Sequence, residues 1–151
     1  MKIRTDYVTN SSSSSFILGF KSNDNIEECI ANKLPSYFSE SAISGVVSDI
    51  KNGIVSKEII LASYYDSIWD YDFYYHGKSY WDMTRSERQS EEYEQVCKKW
   101  KQEKVNKLEQ DMSKYDIFSI VTYEDHTDFG SKMEHEIMPH MDCTIRCISN
   151  H

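Results

Sequence analysis

The chain has 151 residues, 39% of them hydrophobic, enough for one core and too few to fill two well, so a single domain over 1–151 is expected. Seventeen basic residues face 25 acidic ones, a formal net charge of -8, which disfavours direct contact with nucleic acid or an anionic membrane and suits a basic partner. No apolar run approaches the roughly 18 residues that span a bilayer, and "MKIRTDYVTN" lacks the apolar stretch of a secretory signal, so a cytoplasmic location is expected.

Five consecutive serines, Ser11 to Ser15, separate this basic start from the first apolar run, "FILGF". Taken alone they read as a flexible joint, with no apolar surface to offset the entropy of ordering. Beside Lys2 and Arg4 their hydroxyls and amides can also form an anion-binding edge or accept modification. A serine nucleophile has no base placed beside it. The opening "MKIRTDYVTNSSSSSFILGFK" resembles the start of a scattered group of uncharacterised proteins from Firmicutes and their phages. These begin with a basic residue, Asp, an aromatic residue, Val-Thr-Asn, several serines and Phe. The similarity covers about 20 of the 151 residues, with Tyr7 where Phe is commoner, and the closing "ISNH" is similar to the ends of some of those proteins. The resemblance implies a bacterial or phage source and makes Thr9 to Phe16 a native element.

After the serines, "SFILGFK" reads as a short buried strand. "NDNIEECIANKL" reads as a helix capped by Asn23 or Asp24 and closed before Pro35. "SESAISGVVSDIKNG" predicts a second helix ending at Gly53. Residues 57 to 65, "KEIILASYY", suit a strand better than a helix, because Ile59, Ile60 and the tyrosines fit a pleated surface. At "TRSE" a capping box is expected, Thr84 accepting from the Glu87 amide while the Glu87 carboxylate reaches back. A long helix over about 85–112 follows, with Tyr93, Val96, Cys97, Trp100, Val105, Leu108 and Met112 on a drifting apolar stripe that lacks a sustained coiled-coil heptad. "YDIFSIVTYED" is a strand of about ten residues. A polar loop, "HTDFGSK", then leads through "MEHEIMP" to a last strand, "CTIRCIS". The expected fold is α+β, a mainly antiparallel sheet with the long helix packed on one face.

Four cysteines, Cys29, Cys97, Cys143 and Cys147, are too few for a disulfide framework and are expected as buried, reduced thiols. On a strand Cys143 and Cys147 share a face about 13 Å apart, too far to bond or to share a metal.

Two constellations carry possible function. Residues 64 to 82 hold nine of the chain's twenty aromatics and a net charge of -3. Neighbouring aromatics on an extended chain point to opposite faces, so not all can be core. Asp66, Trp69, Asp70, Tyr71, Asp72, Tyr74, Tyr75 and Trp81 are therefore the expected partner-binding residues. The competing reading is an aromatic hairpin turning at Gly77, with ring pairs that only stabilise a sheet. Near the C-terminus, His126, Asp128, His135, His140, Asp142 and His151 lie among Glu124, Asp125, Glu134 and Glu136. Of these, His126, Asp128, His135 and His140 are the metal ligands of an alternative reading as a small metal-binding domain or metal-dependent hydrolase. The spacing matches no known metal motif, and residues 116 to 142 carry a net charge of -6, so a solvated acidic loop competes with that reading.

The leading expectation is a non-enzymatic protein-binding module without a cofactor, whose acidic aromatic surface meets the basic surface of a protein. In size, charge and implied source it resembles phage inhibitors of nucleic-acid-handling host machinery, among them anti-CRISPR proteins that occupy a basic groove.

Overall fold

The computed structural model describes residues 13–149, so Lys2, Arg4, Tyr7, Thr9 to Ser12 and the final Asn150 and His151 lie outside the described residues. The described residues form an antiparallel sheet of four strands, β1 (Ser13–Phe20), β2 (Ile54–Val55), β3 (Ile117–Glu124) and β4 (Thr144–Ser149), in the order β2-β3-β1-β4. Helices lie against both faces, an α+β architecture. Central β1 pairs with β3 along its whole length, Phe16 opposite Val121, and with β4 on its other side, Phe16 opposite Cys147.

Alternation along β1 sends Phe16, Leu18 and Phe20 to one face and Ile17 to the other, and because both faces are covered all eight residues are buried. Ser13, Ser14 and Ser15 are thus strand residues of the core, not a flexible joint. Their burial is tolerable because buried hydroxyls find partners. Ser14 Oγ donates to Glu134 Oε1 at 2.7 Å, and Ser15 Oγ shares a hydrogen bond with Thr122 Oγ1 at 2.9 Å.

The Phe16 face packs against α1 (Ile26–Ala31), α2 (Glu40–Asn52) and the Met133–Met141 turns, through Ile30, Val46, Ile50, Met133 and Met138. The Ile17 face meets α3 (Lys57–Ser67) and the C-terminal half of α5 (Glu91–Met112), through Ile60, Leu108 and Met112. Between them the chain forms a single-turn helix, α4 (Arg85–Arg88).

Several elements depart from expectation, each for a local reason. The cap of α1 is Asn25, which accepts from the Glu28 amide; Asp24 instead accepts from the Lys21 amide in the preceding turn. Helix α2 ends at Gly53 as expected, where any Cβ would collide with the Ile120 carbonyl oxygen as the chain crosses into β2. Residues 57–67 are helical, not a strand. Ser56 caps them by accepting from the Ile59 amide, Glu58 sits in the first turn, and Ile60, Leu61, Ser63 and Tyr64 fall on the covered side at helical spacing. The sheet's fourth strand is the two-residue β2 instead. The capping box at Thr84 forms with both of its hydrogen bonds at 3.2 Å, but it starts only α4. Ser90 breaks the expected 85–112 helix and caps α5 afresh by accepting from the Tyr93 amide, with Glu91, Glu92 and Glu94 behind it at the positive end of the helix dipole. The expected loop at 126–132 holds a short helix, α6 (Asp128–Lys132), capped by Thr127. It runs into a π-helical turn at Met133–Ile137 that buries Met133, Glu134 and Ile137.

The four cysteines are free. Cys97 is buried and Cys29 and Cys143 are half-buried, whereas Cys147, expected inside, is exposed because β4 is an edge strand of the sheet. Burial, foremost, pushes the Cys143 thiol up to about 11. No described helix is long and apolar enough to cross a membrane.

Candidate functional site

The N-terminal half of α5 does not contribute to the sheet's two cores. It forms the floor of a separate aromatic region, in which Phe73, Tyr75, Met83, Tyr93 and Cys97 pack together with Trp100 at their edge. Phe73 lies 5.1 Å from the Trp100 ring centre, and Tyr75 meets Tyr93 edge-on at 5.4 Å. Residues 69–83 are carried on two short 3-10 turns, Asp70–Asp72 and Tyr80–Asp82, joined by a one-bridge hairpin. Tyr75 and Lys78 exchange both backbone hydrogen bonds at 2.9 Å. His76 and Gly77 between them have φ of 51° and 76°, as the tightest hairpin turns require. The aromatic hairpin turning at Gly77 therefore exists, but it is minimal, and its rings pack down onto α5 instead of pairing across strands.

The two 3-10 turns bring four further rings together on the outside. Tyr71 stacks on Trp81, 4.9 Å apart and 17° from parallel, while the Trp69 ring, tilted by 59°, lies 5.3 Å from Tyr71. Tyr80 meets both Tyr71 and Trp81 edge-on and carries the Arg88 guanidinium 4.9 Å above its ring. Trp69, Tyr71 and Trp81 remain 61%, 40% and 71% exposed despite these contacts. They are held by one another and present their remaining faces to the outside.

Each expected binding residue has a definite place. Trp69, Tyr71 and Trp81 form the exposed cluster, and Tyr74 stands exposed at the hairpin. Asp66 and Asp72 are exposed at the end of α3 and in the first 3-10 turn, and Asp82, one of the acids in the net charge of this segment though not among the expected binding residues, is also exposed and accepts from Ser79 Oγ. Tyr75 points inward and is buried, so it supports the face without belonging to it. Asp70 is an anchor. Its Oδ1 lies 2.5 Å from Lys101 Nζ and 3.8 Å from Cys97 Sγ, tying the loop to α5 between Trp69 and Tyr71. Burial disfavours the Lys101 ammonium, but the Asp70 hydrogen bond and charge outweigh it and hold the pKa above the ordinary lysine value. Burial, then Cys97 and Asp70, push the Tyr93 phenol up to about 12; burial followed by Asp70 raises the Cys97 thiol, so neither is an activated nucleophile. Tyr80, Arg88 and Lys101 were missed as contributors. Their roles depend on a chain reversal at His76–Gly77, on the placing of Arg88 at the end of α4 and on the register of α5, which linear spacing does not reveal.

The alternative metal ligands are not gathered into one site. Among the described residues, the only group of three or more His, Cys, Asp and Glu side chains with ligand atoms within 4.8 Å of one another is Asp125, Glu134 and His135. His126 instead lies 3.2 Å from Glu124, and neither Asp128 nor His140 belongs to the group. Glu134 is buried, accepts from Ser14 Oγ, and has His135 Nε2 3.5 Å from its other oxygen. That arrangement pins the π-helical turn to the start of β1.

No protein-family model matches the chain, and neither a curated protein nor a solved structure does.

Proposed function

We propose that this protein is a non-enzymatic binding module that engages a basic protein surface through the Trp69–Tyr71–Trp81 face. The observation that carries the reading is a ring cluster already packed ring on ring yet largely exposed. Exposed contiguous apolar groups mark contact sites, and tryptophan and tyrosine are the side chains on which binding energy concentrates. Holding the rings in place beforehand lowers the entropy lost on binding. The flanking carboxylates of Asp66, Asp72 and Asp82 favour Arg and Lys, which also gain from the faces of Trp69 and Trp81. A groove built to hold nucleic acid has that basic chemistry. The biological role we propose is accordingly competition with nucleic acid for such a groove, in a bacterial or phage setting.

The test is capture from a Firmicute lysate at low and high salt, comparing the wild-type chain with a Trp69→Ala/Trp81→Ala double variant shown to be folded by circular dichroism. Expected is a partner held at low salt, released as screening rises, absent with the variant and displaced by added DNA or RNA. The same partner captured by both chains would overturn the assignment to this face. Retention at high salt would remove the basic-surface reading, and indifference to nucleic acid the inhibitor role.

A further inference from the structure

The four free cysteines divide into two that stand apart and two that share a neighbourhood. Cys97 is buried in the aromatic region, and Cys147 is exposed on the edge strand β4. Cys29, on α1, and Cys143, directly before β4, are both half-buried and pack against the same cluster on the Phe16 face of the sheet. The two segments that carry them are tied together beside the thiols. Lys33, in the turn that closes α1, pairs with Asp142 at 2.6 Å. Lys33 follows Cys29 by about one helical turn, and Asp142 is the residue before Cys143. On the sheet side, the Cys143 carbonyl accepts from the Gly19 amide at 2.9 Å, which fixes it against central β1.

The electrostatics agree with this placement. Burial acts first on the Cys143 thiol, pushed up to about 11, and Cys29 raises it further, ahead of the sequence neighbour Asp142. Lys33 is held above the ordinary lysine value foremost by Asp142, with Cys143 and then Cys29 adding to it. Cys97 and Cys147 are raised by burial too, but next by acids, Asp70 and Glu134 respectively.

We propose that Cys29 and Cys143 are a redox pair, separate thiols under reducing conditions and joined by a reversible disulfide that straps α1 to the sheet when hydrogen peroxide oxidises the protein. This goes beyond the binding reading and does not rest on it. Peroxide is the two-electron oxidant. It passes one oxygen to the Cys29 sulfur, giving a sulfenic acid and a molecule of water. The Cys143 sulfur then attacks that sulfur: the S–O bond breaks, the S–S bond forms, and the Cys143 proton leaves with the hydroxyl group as a second water. Burial keeps Cys143 protonated and slow against peroxide, which makes it the resolving partner. The bond fastens a helix of six residues to the chain entering the edge strand, and a dithiol reductant opens it again by exchange.

The test is hydrogen peroxide added to the reduced full chain, then alkylation of the remaining thiols and peptide mapping without reductant. The expected product is the intramolecular Cys29–Cys143 link, at least about tenfold more abundant than any other pairing, because proximity in the fold outweighs collision. It should persist in a Cys97→Ser/Cys147→Ser variant, vanish in Cys29→Ser and in Cys143→Ser, revert with dithiothreitol, and lose its preference when oxidation is carried out in urea. Amide exchange over Ile26–Ala31 should slow in the oxidised chain. Should a serine variant fail to fold, the wild-type map decides alone. Cys29 and Cys143 recovered as separate thiols, or as separately over-oxidised sulfurs, overturn the pair. So does a map dominated by any other link, or one that is the same in the folded and the urea-unfolded chain. A Cys29–Cys143 link that leaves the exchange of α1 unchanged overturns the strap.

Discussion

The two halves of the molecule use their side chains in opposite ways. Around the sheet, hydroxyls go inside: Ser13, Ser14 and Ser15 are buried in a central strand whose faces are both covered. Over the N-terminal half of α5, large rings stay outside: among the described residues, Trp69, Tyr71 and Trp81 are exposed on short turns. Burial here follows from layering, not from residue type. A central strand of a covered sheet buries whatever occupies it, provided each polar group has a partner, whereas a segment packed on one helix can bury only one side of itself. The sheet half holds two of the three packed clusters, and the aromatic half leaves rings exposed.

The sharpest way to break this division is in the sheet. Phe16 is fully buried at the crossing of β3, β1 and β4. Phe16→Ala is expected to cost about 3–5 kcal/mol, and because α5 spans both halves, it should melt the aromatic region in the same transition. Denaturant unfolding followed by far-ultraviolet circular dichroism and by tryptophan fluorescence checks this; the two curves should shift together, and a fluorescence curve left in place would show the halves to be independent. Ser14→Ala is the next largest. It removes one donor to buried Glu134 and is expected to cost about 1–3 kcal/mol, more than alanine normally costs at an exposed serine. Ser14→Ala combined with Glu134→Leu should recover part of that loss, which a double-mutant cycle in urea measures.

The sequence made the sheet half easier to read than the aromatic half. Strands β1 and β3 and helix α2 were legible because apolar periodicity, the Gly53 stop and strand alternation agreed with the tertiary outcome. The 57–67 segment misled because β-branched residues weigh toward strand, while the Ser56 cap and burial at i, i+3 and i+4 decide for helix. The break at Ser90 was overlooked because two start signals, Thr84 and Ser90, stand six residues apart and apolar patterning runs through both. In the aromatic half, composition identified the segment and its expected exposure. It could not separate Tyr75, which faces inward, from Tyr74, which faces outward, because that depends on the positive φ at His76 and Gly77. Nor could it separate Asp70 from Asp66 and Asp72, since only the register of α5 places Lys101 against the first.

That last distinction yields the smallest and most local effect. Asp70 has a partly exposed carboxylate, so losing its ion pair in Asp70→Asn should lower stability by no more than about 1 kcal/mol. Its structural consequence should exceed its energetic one, because Asp70 lies between Trp69 and Tyr71 and fastens both to α5 through Lys101 and Cys97. Tryptophan emission and near-ultraviolet circular dichroism should change while the far-ultraviolet spectrum does not, and binding that depends on the ring cluster should weaken. The pH dependence has a defined sign. The Lys101 pKa is raised in the fold, so the pair's contribution is fully present below the ordinary lysine value and is lost as the pH rises through the raised one. The difference in Tm between wild type and Asp70→Asn should therefore be constant around neutrality and shrink at alkaline pH. A difference that persists there would assign the anchoring to the Asp70–Cys97 contact instead of to Lys101.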